Sequence, residues 1–218
     1  MLGESNFSGG CFSPGGAMNL ELLDFRRQVT KAYADLRTAS DPQGAALQFR
    51  VLKDALFRDH GQSALDETQK MKFQGLGYFP YDPSFRVLAD IAPVTEPLSI
   101  TLSLGDDGEA RLERIGRVEV VLPTGQGSLD VFWIAGYGGG LFLPFADATN
   151  RDSTYGGGRY LLDTIKGADL GTVGSQLVLD FNLAYNPSCA YNPRWVCPLA
   201  PAGNRLSFPV PVGEKTPK

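Results

Sequence analysis

The sequence predicts an α+β protein, mainly β, in which N-terminal helices precede an antiparallel β-barrel or β-sandwich of about nine strands. Three observations carry that prediction. Apolar residues recur at helical spacing as far as about Met71, and from Phe85 onward they alternate with a period of two. The 26 glycines and 15 prolines among 218 residues imply many tight turns, which favours a β-rich body.

In the first helix Leu22, Phe25, Val29, Tyr33 and Leu36 share one face, with Asn19 as the expected N-cap. Asp41-Pro42 announces a second helix, because a cap residue is followed by proline at the first helical position. Its apolar face reads as Leu47, Val51 and Ala55, and it stops at His60-Gly61. Ser63 with Asp66 resembles a capping box for a short third helix reaching about Met71. The strands then begin. Phe85, Val87, Ala89 and Ile91 alternate with Arg86 and Asp90, and Leu98, Ile100, Leu102 and Leu104 alternate with Ser99, Thr101 and Ser103. Further strands are expected over 110–115, 117–122, 129–135, 141–146, 159–163, 176–182 and 206–211, separated by turns at 105–108, 123–127 and 136–140. The organisation expected is a leader over 1–17, a helical segment over 18–72 packed on the body, and a β domain over 73–218.

A net charge of −4 with scattered basic residues offers no stripe to neutralise phosphates, which argues against nucleic acid as a partner. No run approaches the roughly 20 apolar residues of a membrane span. The N-terminus has neither a basic n-region nor an apolar core, so no secretory signal is read there and the cytoplasm is the expected location. The Gly/Ser-rich leader is expected to be disordered, or to be an artefact of a start upstream of Met18.

The densest chemistry lies between Asp180 and Leu206, with two cysteines, two Asn-Pro pairs and four aromatic residues. Turn formers mixed with rings that must bury area describe a stiff, packed loop, the kind that lines sites. Upstream, Leu141–Tyr160 runs from an apolar strand through Asp147 and Thr154-Tyr155 to three glycines and Arg159. YGGG occurs at 137–140 and 155–158, and the unmatched flanks make these two turns rather than a repeat. An arginine facing inward at 159 needs a carboxylate partner or an anionic ligand. On a strand over 176–182, Asp180 and Asn182 would project side by side, about 7 Å apart. The expectation is that Asp147, Arg159, Asp180 and Asn182 converge at a barrel mouth beneath the Tyr185–Trp195 loop.

Cys189 and Cys197 read as buried structural thiols or as a redox pair. A disulfide is disfavoured in a reducing cytoplasm, and two cysteines with one distant histidine do not complete a zinc site. No metal or cofactor is therefore expected. His60, the single histidine, sits where an imidazole can meet the free carbonyls of a helix C-terminus.

Three segments, KFQGLGYFPYDPSFRV (72–87), FADATNRDSTYGGGRYL (145–161) and DFNLAYNPSCAYNPRWVCPLAPAGNRL (180–206), resemble an uncharacterised bacterial and archaeal family, domain of unknown function number 1684. The closing Gly213-Glu214-Lys215 also fits, and the resemblance extends from about Phe49 to Lys215. It implies no established activity, but it nominates Asp147, Thr149, Thr154, Tyr155, Gly158, Arg159, Asp180, Asn182, Tyr185, Asn186, Cys189, Cys197, Asn204 and Arg205. The chain departs from the pattern at Asn150-Arg151, at Ser188, and at Gly203, where the family commonly has a glutamate. The leading functional expectation is a binding protein for a small anionic or polar ligand. Arg159 would meet the anion, Asp180 and Asn182 would hydrogen-bond polar groups, and Tyr155, Tyr185 and Trp195 would form walls. Alternatives are a metal-independent enzyme using Asp180 or Asp147 as acid or base, and a structural or thiol-redox protein.

Overall fold

The computed structural model describes residues 14–103 and 108–217, with side chains from residue 20 onward. Most of the expected leader, Cys11, Leu104 of one expected strand and the 105–107 part of one expected turn lie outside the described residues.

Helix α1 spans Pro14–Thr38, so Asn19 lies within it rather than capping it, and residues 14–17, expected in the disordered leader, are helical. Its inward face is as read: Ala32, Tyr33 and Leu36 are buried. Helix α2 spans Pro42–Asp59 and starts as expected, with the Asp41 carboxylate accepting the Gly44 N–H and Pro42 in the first turn. Its face is rotated, however. Leu47 and Val51 are 48% and 72% exposed, while Ala46, Leu56 and Phe57 are buried. The cause is polar. Arg50 turns inward to donate to the Phe79 and Asn182 carbonyls, and Lys53 to the buried Glu214 carboxylate. Two charged residues in the inward stripe interrupt the apolar period. Helix α3 spans Glu67–Lys72, and its capping box is made by Asp66 and Gln69 instead of Ser63 and Asp66. The Ser63 hydroxyl donates to the Phe57 carbonyl at 2.6 Å and closes the turn after α2.

The remainder is mainly antiparallel sheet. Strands β2 (Ser99–Ser103), β3 (Glu109–Leu122), β4 (Gly125–Ala135), β5 (Gly140–Phe145) and β6 (Arg159–Asp163) form a five-stranded meander in chain order. Strands β1 (Arg86–Ala89), β7 (Thr172–Val173) and β8 (Gln176–Asp180) form a second sheet in the order β1-β8-β7. Among the described residues neither sheet closes on itself, so the expected barrel is not found. The sheets bury one core, to which β1 and β8 contribute Ala89, Leu177 and Leu179, and the meander Val118, Val120, Leu129, Val131, Leu143 and Phe145. The helices pack beside it: Tyr33, Leu36 and Ala46 meet Ala168 and Leu183, and Phe57 and Leu65 meet Tyr191.

Two strand expectations change for local reasons. The segments 110–115 and 117–122 are one strand, β3, with a bulge between Arg114 and Gly116. A Cβ at Gly116 would stand 2.8 Å from the Ala92 carbonyl, so glycine is what lets the chain leaving β1 cross so close. The segment 206–211 keeps its alternation, with Leu206, Phe208 and Val210 buried and Ser207, Pro209 and Pro211 exposed, yet it forms no strand. Proline at 209 and 211 removes the N–H groups a ladder would need.

Of the three glycines before β6, only Gly158 has positive φ, at +90°, and a Cβ there would lie 2.6 Å from the Phe145 carbonyl. At Gly156 the nearest atom is Arg151 Cγ, 3.0 Å away on a side chain that can move. Gly158→Ala is therefore expected to lose at least about 1 kcal/mol in urea denaturation, and Gly156→Ala to stay close to the parent. Equal losses would show that space, not backbone conformation, governs this turn.

Candidate functional site

Most of the polar residues nominated by the sequence are buried, but they divide among separate networks. Arg159 opens β6 with its side chain 0% exposed. Its carboxylate partner is Asp147, 2.9 Å from Nη2. The same guanidinium donates to the carbonyls of Val210 (2.9 Å), Glu214 (3.2 Å) and Val212. Asp147 Oδ1 accepts the Thr149 N–H and hydroxyl and the Val210 N–H, at 2.8, 2.6 and 3.1 Å. The Thr149 and Thr154 hydroxyls complete the network at 2.8 Å. Of the two partners that an inward arginine could have, the protein supplies the carboxylate.

Asp180 and Asn182 do not project side by side from a strand. β8 ends at Asp180, which caps a short 3-10 turn over Phe181–Leu183 and accepts both the backbone N–H and the amide of Asn182. Asp180 Oδ2 also accepts the Tyr81 hydroxyl at 3.2 Å and lies 3.7 Å from Arg86 Nε. Burial raises the Asp180 carboxyl above the usual value, against the lowering effect of these donors. The Asn182 amide pairs with the backbone of Asp82, donating to its carbonyl at 2.7 Å and accepting its N–H at 2.8 Å. This amide substitutes for a strand neighbour. Among the described residues no hydrogen bond or ion pair joins Arg159 to Asp180 or Asn182, so the expected single cluster is not formed.

A third network centres on Glu214, which the site reading left out although the closing Gly-Glu-Lys pointed to it. Its buried carboxylate accepts the Tyr191 hydroxyl at 2.7 Å, the Asn186 N–H at 2.8 Å and the Lys53 ammonium. The Asn186 amide donates to the Lys215 carbonyl at 2.8 Å. Tyr185 crosses Tyr160 edge-on beneath the Lys53 ammonium. Asn204 belongs to a fourth network, bridging Asp130 N–H, Asp130 C=O and Pro144 C=O at 2.8–3.0 Å, while Asp130 pairs with Arg114 and Arg117. Arg205 has an exposed side chain, while its backbone bridges Ala146 beside Asp147.

The long loop lies down on the helices. Trp195 Nε1 donates to the Ala64 carbonyl at 3.1 Å, Arg194 to the Ser63 and Leu65 carbonyls, and the Asn192 amide to the α3 capping pair. Cys189 and Cys197 are free and half-buried, with the Cys189 N–H 3.3 Å from Cys197 Sγ. The Tyr155 hydroxyl stands 3.8 Å from Cys189 Sγ, and burial pushes it up to about 12.

Where the loop meets α2, α3 and the C-terminal segment there is a cleft of about 520 Å³, lined by Asp54, Gln69, Lys72, Phe73–Gly77, Tyr191 and Lys215 among others. The Asp54 carboxylate accepts the Leu76 N–H at 3.0 Å, and burial raises its pKa. None of the residues nominated from the sequence lines this cleft. The available signal was the Lys-Phe-Gln-Gly-Leu-Gly run beside the closing Glu-Lys, two motifs that read as packing until they are brought together.

The model of a family described as "Protein of unknown function (DUF1684)" matches residues 71–215. The solution NMR structure of an uncharacterised protein from Haloarcula marismortui is 35% identical, covers 80% of this chain and 94% of its own, and superposes with a TM-score of 0.57. No curated protein matches.

The Arg159–Asp147 pair generates a stability prediction. Asp147→Ala, which leaves a buried guanidinium without its counter-charge, is expected to lose about 3–5 kcal/mol in chemical denaturation. Arg159→Ala should cost a similar amount, and the double variant clearly less than the sum, because one broken pair is counted twice. Strict additivity would disprove the coupling.

Proposed function

The chain belongs to the family of proteins of unknown function DUF1684, and from that premise we propose that it binds a small anionic molecule in the cleft between α3, residues 73–77 and the C-terminal segment. The observation that carries this reading is the composition of that cleft. Lys72 and Lys215 stand on its rim, Phe73, Leu76 and Tyr191 give apolar wall, and its volume of about 520 Å³ suits a ligand of metabolite size. Arg159, which the sequence nominated for the anion, has protein acceptors instead, so the two lysines take that role. Asp54 and Gln69 add an acceptor and an amide for a ligand hydroxyl or amine.

Support also comes from how firmly the walls are held. The Tyr191 hydroxyl is fixed by Glu214 and its carbonyl by Gln69 Nε2 at 2.7 Å. The Lys215 N–H donates to the Gly77 carbonyl at 2.8 Å, joining two sides of the cleft. Walls ordered before binding lower the entropic cost of holding a ligand.

The test compares charged and neutral probes of one shape. Benzoate and phenyl phosphate are expected to raise the melting temperature and to show saturation transfer in NMR, whereas benzyl alcohol should do neither. Lys72→Glu with Lys215→Glu should abolish binding while leaving the circular dichroism unchanged. Equal response to all three probes, or binding that survives the charge reversal, would refute the proposal.

A further inference from the structure

We propose that Cys197 and Cys189 form a reversible dithiol–disulfide site that undergoes exchange with low-molecular-weight disulfides, Cys197 attacking and Cys189 resolving. Neither residue lines the cleft, so the inference stands apart from ligand binding there.

The two thiols are unlinked neighbours, half-buried rather than sealed in the core, with the Cys189 backbone N–H directed at Cys197 Sγ at 3.3 Å. The segment that holds them is tied on both sides. Tyr191 is bonded to Glu214 and Trp195 to Ala64, and the Tyr160 hydroxyl donates to the Pro198 carbonyl immediately after Cys197. With its N–H bonded to the other sulfur, Cys189 is kept adjacent to Cys197 by the anchored loop.

The surroundings separate the two roles. Hydrogen bonding from the Cys189 thiol and backbone N–H, with the Lys166 ammonium adding positive charge, holds the Cys197 thiol down to about 6 against the raising effect of burial. Cys189, as the donor beside that thiolate and partly buried, is pushed up. Facing the pair are the phenols of Tyr155, before β6, and Tyr160, on β6, both raised by burial and neutral at physiological pH. A stabilised thiolate beside a protonated thiol is the arrangement that thiol–disulfide exchange uses.

The reaction balances without a further reactant. The Cys197 thiolate attacks one sulfur of RSSR, forming a Cys197–S–S–R bond and releasing RS⁻. Cys189 gives its proton to that thiolate, then attacks Cys197 Sγ and expels the second RS⁻, which takes a proton from water. Two cysteine thiols are oxidised and one external disulfide is reduced to two thiols. A low-molecular-weight dithiol reverses the sequence.

The experiment uses the full chain with Cys11→Ser, so that only the pair reacts, and oxidised glutathione as the probe. Intact mass should fall by two hydrogens without an adduct, with a peptide pair joined at 189 and 197. Cys189→Ser, whose hydroxyl can still donate, should stop at one glutathione on Cys197. In the unmutated pair, Cys197 should be labelled by iodoacetamide at pH 7 ahead of Cys189. Its labelling should titrate near pH 6, and Cys189→Ala should move that midpoint upward. A stable mixed disulfide in the parent pair, or Cys197 labelling with an ordinary thiol midpoint, would overturn the proposal.

Discussion

The structure depends on how one C-terminal segment satisfies its backbone. Residues 206–212 must bury Leu206, Phe208, Val210 and Val212, yet Pro209 and Pro211 deny them a ladder. Arg159 substitutes for the missing strand by donating to the carbonyls of Val210, Val212 and Glu214, and Asp147 accepts the Val210 N–H. A buried guanidinium needs its charge matched and most of its donors used. Asp147 matches the charge and the carbonyls occupy the terminal nitrogens, leaving Nε without a partner among the described residues.

The consequences run outward from that pair. Holding residues 210–214 fixes Glu214, whose carboxylate draws Lys53 from α2 and the Tyr191 hydroxyl from the long loop. Arg50 reaches the Phe79 and Asn182 carbonyls from the same helix face. The helices are thus joined to the sheets by charged groups as well as by apolar contact. The long loop, fastened to residues 63–69 by Arg194, Trp195 and Asn192, places Tyr191 in the cleft wall and the two thiols beside β6.

Part of this was legible in advance. The change of period from helix to strand, the Asp41-Pro42 start of α2 and its end at His60 follow from local rules, and the structure has them. The His60 ring does not meet the free helix carbonyls as expected: Nδ1 accepts the Gln62 N–H and Nε2 meets Asp24. The inward face of α2 was hidden because hydrophobic pattern cannot report an inward-turned, half-buried Lys53 whose partner lies 161 positions away. The reading of 206–211 as a strand followed side-chain alternation, which survives, and overlooked the prolines, which decide the backbone. The grouping of Arg159 with Asp180 and Asn182 failed for a related reason. Each of these groups found partners closer to hand, Asp147 for the first and Asp82 and Tyr81 for the others.

By itself the sequence determined the family, the order of helices before antiparallel strands, and which polar residues are too specific to be surface decoration. These are local properties, set by periodicity, caps and motif identity. Only the tertiary structure decided which buried charge pairs with which, that the two sheets stay open, and that Lys72, Tyr191 and Lys215 border one cleft while Arg159 is sealed away. Those outcomes turn on contacts between residues far apart in the chain. A carboxylate's partner there is chosen by distance, burial and competing donors, and spacing along the polymer carries none of that information.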